Sequence, residues 1–286
     1  MWYHKSNTFV YDEANGVLMS SHGISGAGRA ELAAVAGRRR FIAPADVAAE
    51  LGVDRQVAAR RLAHWAERGW LRRVRRGLYI PVPVDAEHPE GWSQDALVVA
   101  AAAWSPCYFT GWTAASHWGL TEQMFRTTVV KTMQRVRHSE VRLLDSDYLL
   151  MHVAEDRLSW GMRSSWHEEV RLQIADPART VVDILDRPGI GGGIRHGAEI
   201  LDAYLDTEDS ARLIEYAERL DNRAVFKRLG YLIEALGRDE PELIAACRVR
   251  LSAGIVLLDP DAPPGGPRIP TWGLRANVQV APHSPS

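Results

Sequence analysis

The sequence predicts an α+β protein built in two parts, an N-terminal winged helix-turn-helix followed by a larger mixed α/β C-terminal domain. Three observations predict it. Residues 27–84 carry three helical segments closed by an arginine-rich hairpin, residues 85–92 form a Pro/Gly/acid linker, and residues 93–280 hold strand-like runs followed by helices. Charge divides in the same way. Between Gly28 and Ile80 there are twelve arginines and five acids, a surplus of seven positive charges in a chain of formal net charge −2, which leaves −9 for the rest. A small basic unit joined to a larger acidic one points to a polyanion-binding module attached to something else.

The chain has 286 residues, 46% apolar and 24% charged, enough for one large or two ordinary domains with buried cores. Its two cysteines, Cys107 and Cys247, are far apart and have no pairing or metal-like spacing, so a reducing, cytoplasmic setting is expected. The most apolar run, "ALVVAAAAW" (Ala96 to Trp104), is about half the length that spans a bilayer, and no basic segment leads into an apolar signal core. No membrane association is expected. Residues 1–26 show no sustained period and read as a poorly ordered extension, and 281–286 as a tail.

From Ala27 the pattern is helical. "AGRAELAAVAGRRR" is alanine-rich and closes on Gly37 and three arginines, which suit a helix C-terminus. "APADVAAELG" places Pro44 in a first turn, with Val47 and Leu51 four apart, and stops at Gly52. Asp54 is suited to cap a third helix, on which Ala58, Leu62 and Trp65 recur at core spacing before Gly69. "WLRRV", a turn through Arg75, Arg76 and Gly77, and "LYIPV" read as a hairpin with Leu71, Val74, Leu78 and Ile80 pointing inward.

With Ala58, Leu62 and Trp65 in the core, a rotation of about 100° per residue puts Gln56 and Arg60 on the opposite side of the third helix, flanked by Arg55, Ala59 and His64. That face is the expected entrant to a DNA major groove. Gln and Arg can each make two hydrogen bonds to adenine and guanine edges, so Gln56 and Arg60 are the candidate base readers, while Arg55 in the first turn suits a phosphate. Arg72, Arg73, Arg75 and Arg76 on the hairpin are candidate backbone or minor-groove contacts. The competing reading is a winged fold used for protein contacts, with the same arginines facing an acidic partner.

In the second part, "SQDALVVAAAAW" and "GWTAASHWGLTEQ" read as helices. Strand-like runs follow at Thr127–Thr132, Glu140–Leu144, Tyr148–Val153, Leu158–Trp166 and Glu169–Ala175. "DPARTVVDILDR" has Asp176 as cap and Pro177 at the first helical position, and further helices are expected near Ile194–Tyr204, Asp209–Leu220, Asn222–Leu236 and Pro241–Leu251. A last strand is expected within "WGLRANVQV".

Two segments resemble a known family. "FTGWTAASHWGLTEQMFRTTVVKT" is similar to the segment of AbiEi-type antitoxins in which "GWSALHHHGLTEQ" precedes a strand, and "ADPARTVVDILDRPGIGGGIRHGAEIL" is similar to their "DPERTLVDCLDRPEYGGG". "RLGYLIEALG" and the closing "LLDPDAPPGGP" to "WGLRANV" agree in order and placement, so the resemblance covers about Ala27 to Val280. It implies a two-domain antitoxin whose winged helix binds double-stranded promoter DNA and represses its own operon. The C-terminal domain would counter a cognate nucleotidyltransferase-like toxin, directly or indirectly. A homodimer on DNA is expected only because paired half-sites are common among such proteins.

Two other functions stay open from the residues alone: a ligand-responsive winged-helix regulator, and a DNA- or toxin-modifying enzyme. Catalytic signals are weak, and no enzyme activity and no cofactor is expected. "GIGGGIRHG" (Gly189 to Gly197) could cradle a phosphate, but a helix rather than a strand precedes it, so a helix–helix connection is the expectation. The histidines lack metal spacing; His117 suits hydrogen-bonded packing. Asp145, Asp147, Glu155 and Asp156 read as solvated turn carboxylates, and Lys131 with Arg135 as a possible phosphate or toxin-surface contact. Trp104, Trp112, Trp118, Trp160 and Trp166 are expected in the core.

Overall fold

The computed structural model describes residues 26–37, 39–82, 95–167 and 169–280. Of the expected extension at 1–26, residues 1–25 lie outside the described residues, as do the linker at 85–92 and the tail at 281–286, while Gly26 already belongs to the first helix. Two compact units are formed, one running to Ala103 together with Leu143–Asp145, the other comprising Trp104–Arg142 and the chain from Ser146 onward.

The first unit is a winged helix-turn-helix: α1 (Gly26–Ala36), α2 (Pro44–Leu51), α3 (Arg55–Glu67), β1 (Leu71–Arg75) and β2 (Leu78–Pro81). Arg39 turns back at the end of α1, where its Nη1 donates to the Val35 carbonyl at 2.8 Å and its Nη2 pairs with Glu50 at 3.0 Å. One of the arginines after Gly37 thus closes a helix end that would otherwise leave carbonyls open. At the start of α2 the Asp46 carboxylate accepts from the Ala43 backbone N–H at 2.7 Å. Leu32, Val35, Val47, Ala58, Leu62, Trp65 and Trp70 build the core.

The hairpin departs from simple alternation. A register shift between Arg73 and Arg75 lets both Leu71 and Val74 face inward, three positions apart, with Arg73 and Arg75 outside. On β2 it is Tyr79 and Ile80 that are buried, whereas Leu78, expected inside, is half-buried beside the turn. Tyr79 also exchanges two backbone hydrogen bonds with Ile42, at 2.8 and 2.9 Å, so the α1–α2 connection adds a one-residue third strand to the wing.

Helix α4 (Ala96–Trp104) follows in sequence, its first N–H groups met by Asp95. The larger unit then forms β3 (Cys107–Phe109), α5 (Gly111–His117), β4 (Thr127–Thr132), β5 (Glu140–Leu143), β6 (Ser146–His152), a 3-10 turn (Glu155–Leu158), β7 (Met162–His167) and β8 (Val170–Ala175). These strands make one mixed sheet in the order β5-β6-β4-β3-β8-β7, parallel at β4/β6 and β3/β8 and antiparallel at β3/β4 and β7/β8. The strand expected over Leu158–Trp166 begins only at Met162, because Leu158 ends the 3-10 turn and the chain bends through 159–161 before it.

The helical half holds α6 (Pro177–Asp186), α7 (Ile194–Thr207), α8 (Ala211–Leu220), α9 (Arg223–Leu236) and α10 (Pro241–Arg248), then three two-residue strands, β9 (Val256–Leu257), β10 (Arg268–Ile269) and β11 (Leu274–Arg275). Asp176 caps α6 by accepting from the Arg179 N–H at 2.8 Å, and residues from Pro177 to Leu185 are buried on every side. Helices α7, α8 and α9 pack around α6.

The glycine tract after α6 is a packing device. A Cβ at Gly191 would stand 2.5 Å from the Ile184 side chain, and the free N–H at the start of α7, on Ile194, donates to the Asp259 carboxylate at 2.8 Å. The phosphate reading of this tract therefore gives way: a buried carboxylate already occupies the positive helix end.

Candidate nucleic-acid interface

Helix α3 is fixed by its cap and its buried edge. Asp54 has extended backbone, and its Oδ1 accepts from the Gln56 and Val57 N–H groups at 2.7 and 2.9 Å. Ala58, Leu62 and Trp65 are fully or almost fully buried. Arg61 spans the α3–α1 contact to Glu31 at 2.5 Å, which locks the helix against the unit and removes this arginine from the outer face. The opposite face is then set by helical geometry: Gln56, Arg60 and His64, four residues apart in turn, are all exposed, with Arg55 exposed in the first turn and Ala59 half-buried beside them.

The four wing arginines do not all share one setting. Arg73, Arg75 and Arg76 are exposed around the hairpin turn. Arg72 is half-buried and, within the same unit, forms an ion pair with Asp145 at 3.2 Å. The unit thus presents an exposed, capped helix face followed by an exposed cationic turn.

Residues 30–82 match the family model described as "Transcriptional regulator, AbiEi antitoxin". The AbiEi match spans α2, α3, the wing and most of α1, so it coincides with the winged helix. Over the larger part of the chain the fold is shared with a solved structure, the RV2827C protein from Mycobacterium tuberculosis, at a TM-score of 0.59 and 16% sequence identity, covering 87% of this chain and 90% of that one. No curated protein sequence matches. The AbiEi family is one of transcriptional regulators, and among the described residues no helix is long and apolar enough to cross a membrane.

Outside the AbiEi-matched segment, the second unit contains a buried ionic network that the sequence reading missed. Asp183 on α6, fully buried, receives Lys131 Nζ at 3.0 Å, Arg179 Nε at 2.9 Å and Thr110 Oγ1 at 2.8 Å. The Tyr108 hydroxyl donates to Asp183 at 3.2 Å and accepts from Arg179 Nη2 at 3.0 Å, and the Arg179 guanidinium lies 3.4 Å from the centre of the Trp160 ring. Burial alone would raise the Asp183 carboxyl, but the charges of Lys131 and Arg179 and the Thr110 hydrogen bond outweigh it, so the group is held below its ordinary value. Tyr108 is pushed up by burial and by Asp183, which keeps it a neutral donor.

Lys131 is therefore a buried partner of Asp183 rather than a contact on the protein surface, whereas Arg135 is exposed. Two signals could have revealed the network: a lysine inside the apolar strand "TTVVKT", and an Arg–Asp pair four apart on a helix whose other residues are mostly apolar.

The tryptophan expectation holds only in part. Trp112 donates to the Thr127 carbonyl and Trp118 to that of Ala175 while half-buried, but Trp166 on the edge strand β7 is 69% exposed. His117 packs edge-on to Trp118, and burial together with nearby His167 lowers its pKa. Among the turn carboxylates, Asp145 pairs with Arg72 and Asp147 with Arg142. Burial pushes both cysteine thiols up to about 12, which keeps them protonated and poor nucleophiles. Among the described residues no three carboxylates, histidines or cysteines gather as a metal site.

Proposed function

We propose that this protein is a sequence-specific DNA-binding antitoxin that represses its own toxin-antitoxin operon and counteracts a cognate nucleotidyltransferase-like toxin. The observation that carries the DNA half is the juxtaposition, inside the AbiEi-matched segment, of the exposed Gln56–Arg60–His64 face with the arginine wing. A major groove about 12 Å wide accepts one helix, and a helix locked on its inner side by Ala58, Leu62, Trp65 and Arg61 enters it with its backbone position already fixed.

In this reading Gln56 and Arg60 read base edges, with Ala59 and His64 beside them, while Arg55 meets a phosphate at the helix start. Arg73, Arg75 and Arg76 supply salt-dependent affinity by neutralising backbone phosphates, and Arg72 joins them in exchange for its Asp145 contact. The linker at 85–92 divides this module from the toxin-countering domain at 93–280. The protein works in the cytoplasm, without enzyme activity or cofactor, as a homodimer on paired half-sites. Support for the antitoxin half is the family description of residues 30–82 together with the motifs in the second unit.

Two experiments test the two halves separately. Purified protein should retard the DNA upstream of its own gene at moderate salt, and absence of a shift overturns repression. Co-expression with the toxin gene beside it should restore growth, and persistent growth arrest overturns neutralisation.

A further inference from the structure

The larger unit contains a cavity of about 330 Å³ whose wall includes Lys131, Arg157, Arg179 and Arg187 against one carboxylate, Asp186. Its size lies at the lower end of the range for small-molecule sites, with Met151 and Leu220 adding apolar wall. The carboxylates around it are already engaged. Asp183 is shared by Lys131 and Arg179, Asp156 lies 3.7 Å from Arg157, and Asp186 accepts from Asn222 at 2.6 Å. Even with all three counted, the cations are in excess.

The decisive atom is Arg179 Nη1. Arg179 is 1% exposed, its Nε and Nη2 are bound to Asp183 and Tyr108, and its plane is held over Trp160, yet Nη1 is buried with no hydrogen-bond partner. A buried charged donor left unbonded costs more than a neutral one, so a residue of the cavity lining that holds its guanidinium in place with one nitrogen unused is suited to take an acceptor after a small side-chain adjustment. Arg187 stands exposed on the same wall, and among the described residues its guanidinium has no ion pair. One unused guanidinium nitrogen, a second arginine and a lysine match the several oxygens of a dianionic phosphoryl group better than the two of a single carboxylate.

We propose that this cavity binds a small organic phosphate of sugar-phosphate or mononucleotide size, with Arg179, Arg187 and Lys131 meeting the phosphoryl oxygens and the apolar wall meeting the remainder. The site is independent of the DNA reading and can stand or fall without it. Occupancy would place a ligand against α6, the helix around which the larger unit packs.

Thermal unfolding of the full-length chain is followed while inorganic phosphate, glucose 6-phosphate, AMP and malonate are titrated separately at constant ionic strength. The expected result is a saturable rise in midpoint with at least one organic phosphate, larger than with inorganic phosphate and larger than with malonate. Glucose 6-phosphate against AMP distinguishes the sugar-phosphate source from the nucleotide. Arg187→Ala, at an exposed position that supports no core, should weaken the dissociation constant about tenfold, as expected for one lost charge-assisted hydrogen bond. Arg126→Ala, an exposed arginine outside the cavity wall, should not change it. Arg179→Met should abolish saturation if it folds; if it does not, Arg187→Ala carries the test. No saturable stabilisation by any phosphate, malonate binding as well as the phosphates, or an equal loss in Arg126→Ala would each overturn the proposal.

Discussion

In Asp183→Ala the carboxylate that neutralises Lys131 and Arg179 is removed, while both cations stay almost wholly buried at 6% and 1% exposure. Breaking a buried ionic contact by deleting one partner costs about 3–5 kcal/mol, because the remaining charge is left unpaired. Thr110 and Tyr108 lose their acceptor in the same step. Against a typical domain stability of about 5–15 kcal/mol, that is about a fifth of the whole or more. Lys131→Met should cost less, about 1–3 kcal/mol, since Asp183 would keep Arg179 and Thr110. Urea unfolding followed by tryptophan fluorescence measures both, and the slope reports whether the folded state stays compact. A loss below about 1 kcal/mol in Asp183→Ala at unchanged slope would refute the claim that this carboxylate holds two buried cations together. The pH dependence has a definite sign. A carboxyl held below its ordinary value of 3.8 contributes stability that is fully present above that value and is lost as pH falls through the depressed one, so the wild-type advantage over Asp183→Asn should shrink only in acid.

Two further perturbations probe other parts of the fold. Asp54→Ala removes the acceptor of two N–H groups at the start of α3 and should cost about 1 kcal/mol, with Asp54→Ser recovering most of it; urea unfolding and DNA affinity should fall together. A Cβ at Gly230 on α9 would come within 2.1 Å of the buried Trp272 ring, so Gly230→Ala should destabilise by about 1–3 kcal/mol in unfolding experiments, disturb the bond of Trp272 to Glu234, and leave DNA affinity unchanged.

Much of the winged helix was legible because its signals are local. Asp54, Gly52 and the Ala58–Leu62–Trp65 spacing act within one or two turns, and α6 announces itself through Asp176 and Pro177. The wing was harder. A register shift between Arg73 and Arg75 puts an extra residue on β1, the buried positions on β2 are the adjacent Tyr79 and Ile80, and no side-chain pattern of period two encodes either. Ile42 joins the sheet through backbone bonds alone, and β3 and β9 to β11 are too short to show a period at all.

The candidate DNA-reading face could be read from helical rotation, but the fate of individual arginines could not. Arg39 takes the helix-end role its position suggested, whereas Arg61 and Arg72 are drawn to carboxylates distant in sequence, a choice made by tertiary packing. The network of Lys131, Arg179 and Asp183 is the same case at greater depth: a strand and a helix some fifty residues apart supply opposite charges to one buried point. Trp166 stays exposed because it lies on an edge strand, a position that sequence spacing does not reveal.

The measurement closest to the central claim is the fluorescence anisotropy of the full-length protein binding two labelled duplexes, the DNA upstream of its own gene and a shuffled duplex of equal length, over a salt series. Wild-type protein should prefer the upstream duplex. Gln56→Ala and Arg60→Ala should each lower that preference by about 1–3 kcal/mol, whereas Arg73→Ala and Arg76→Ala should weaken both duplexes alike and reduce the salt slope by about one per lost phosphate contact. Equal affinity of the wild type for the two duplexes, or an unchanged preference in Gln56→Ala and Arg60→Ala, would contradict it.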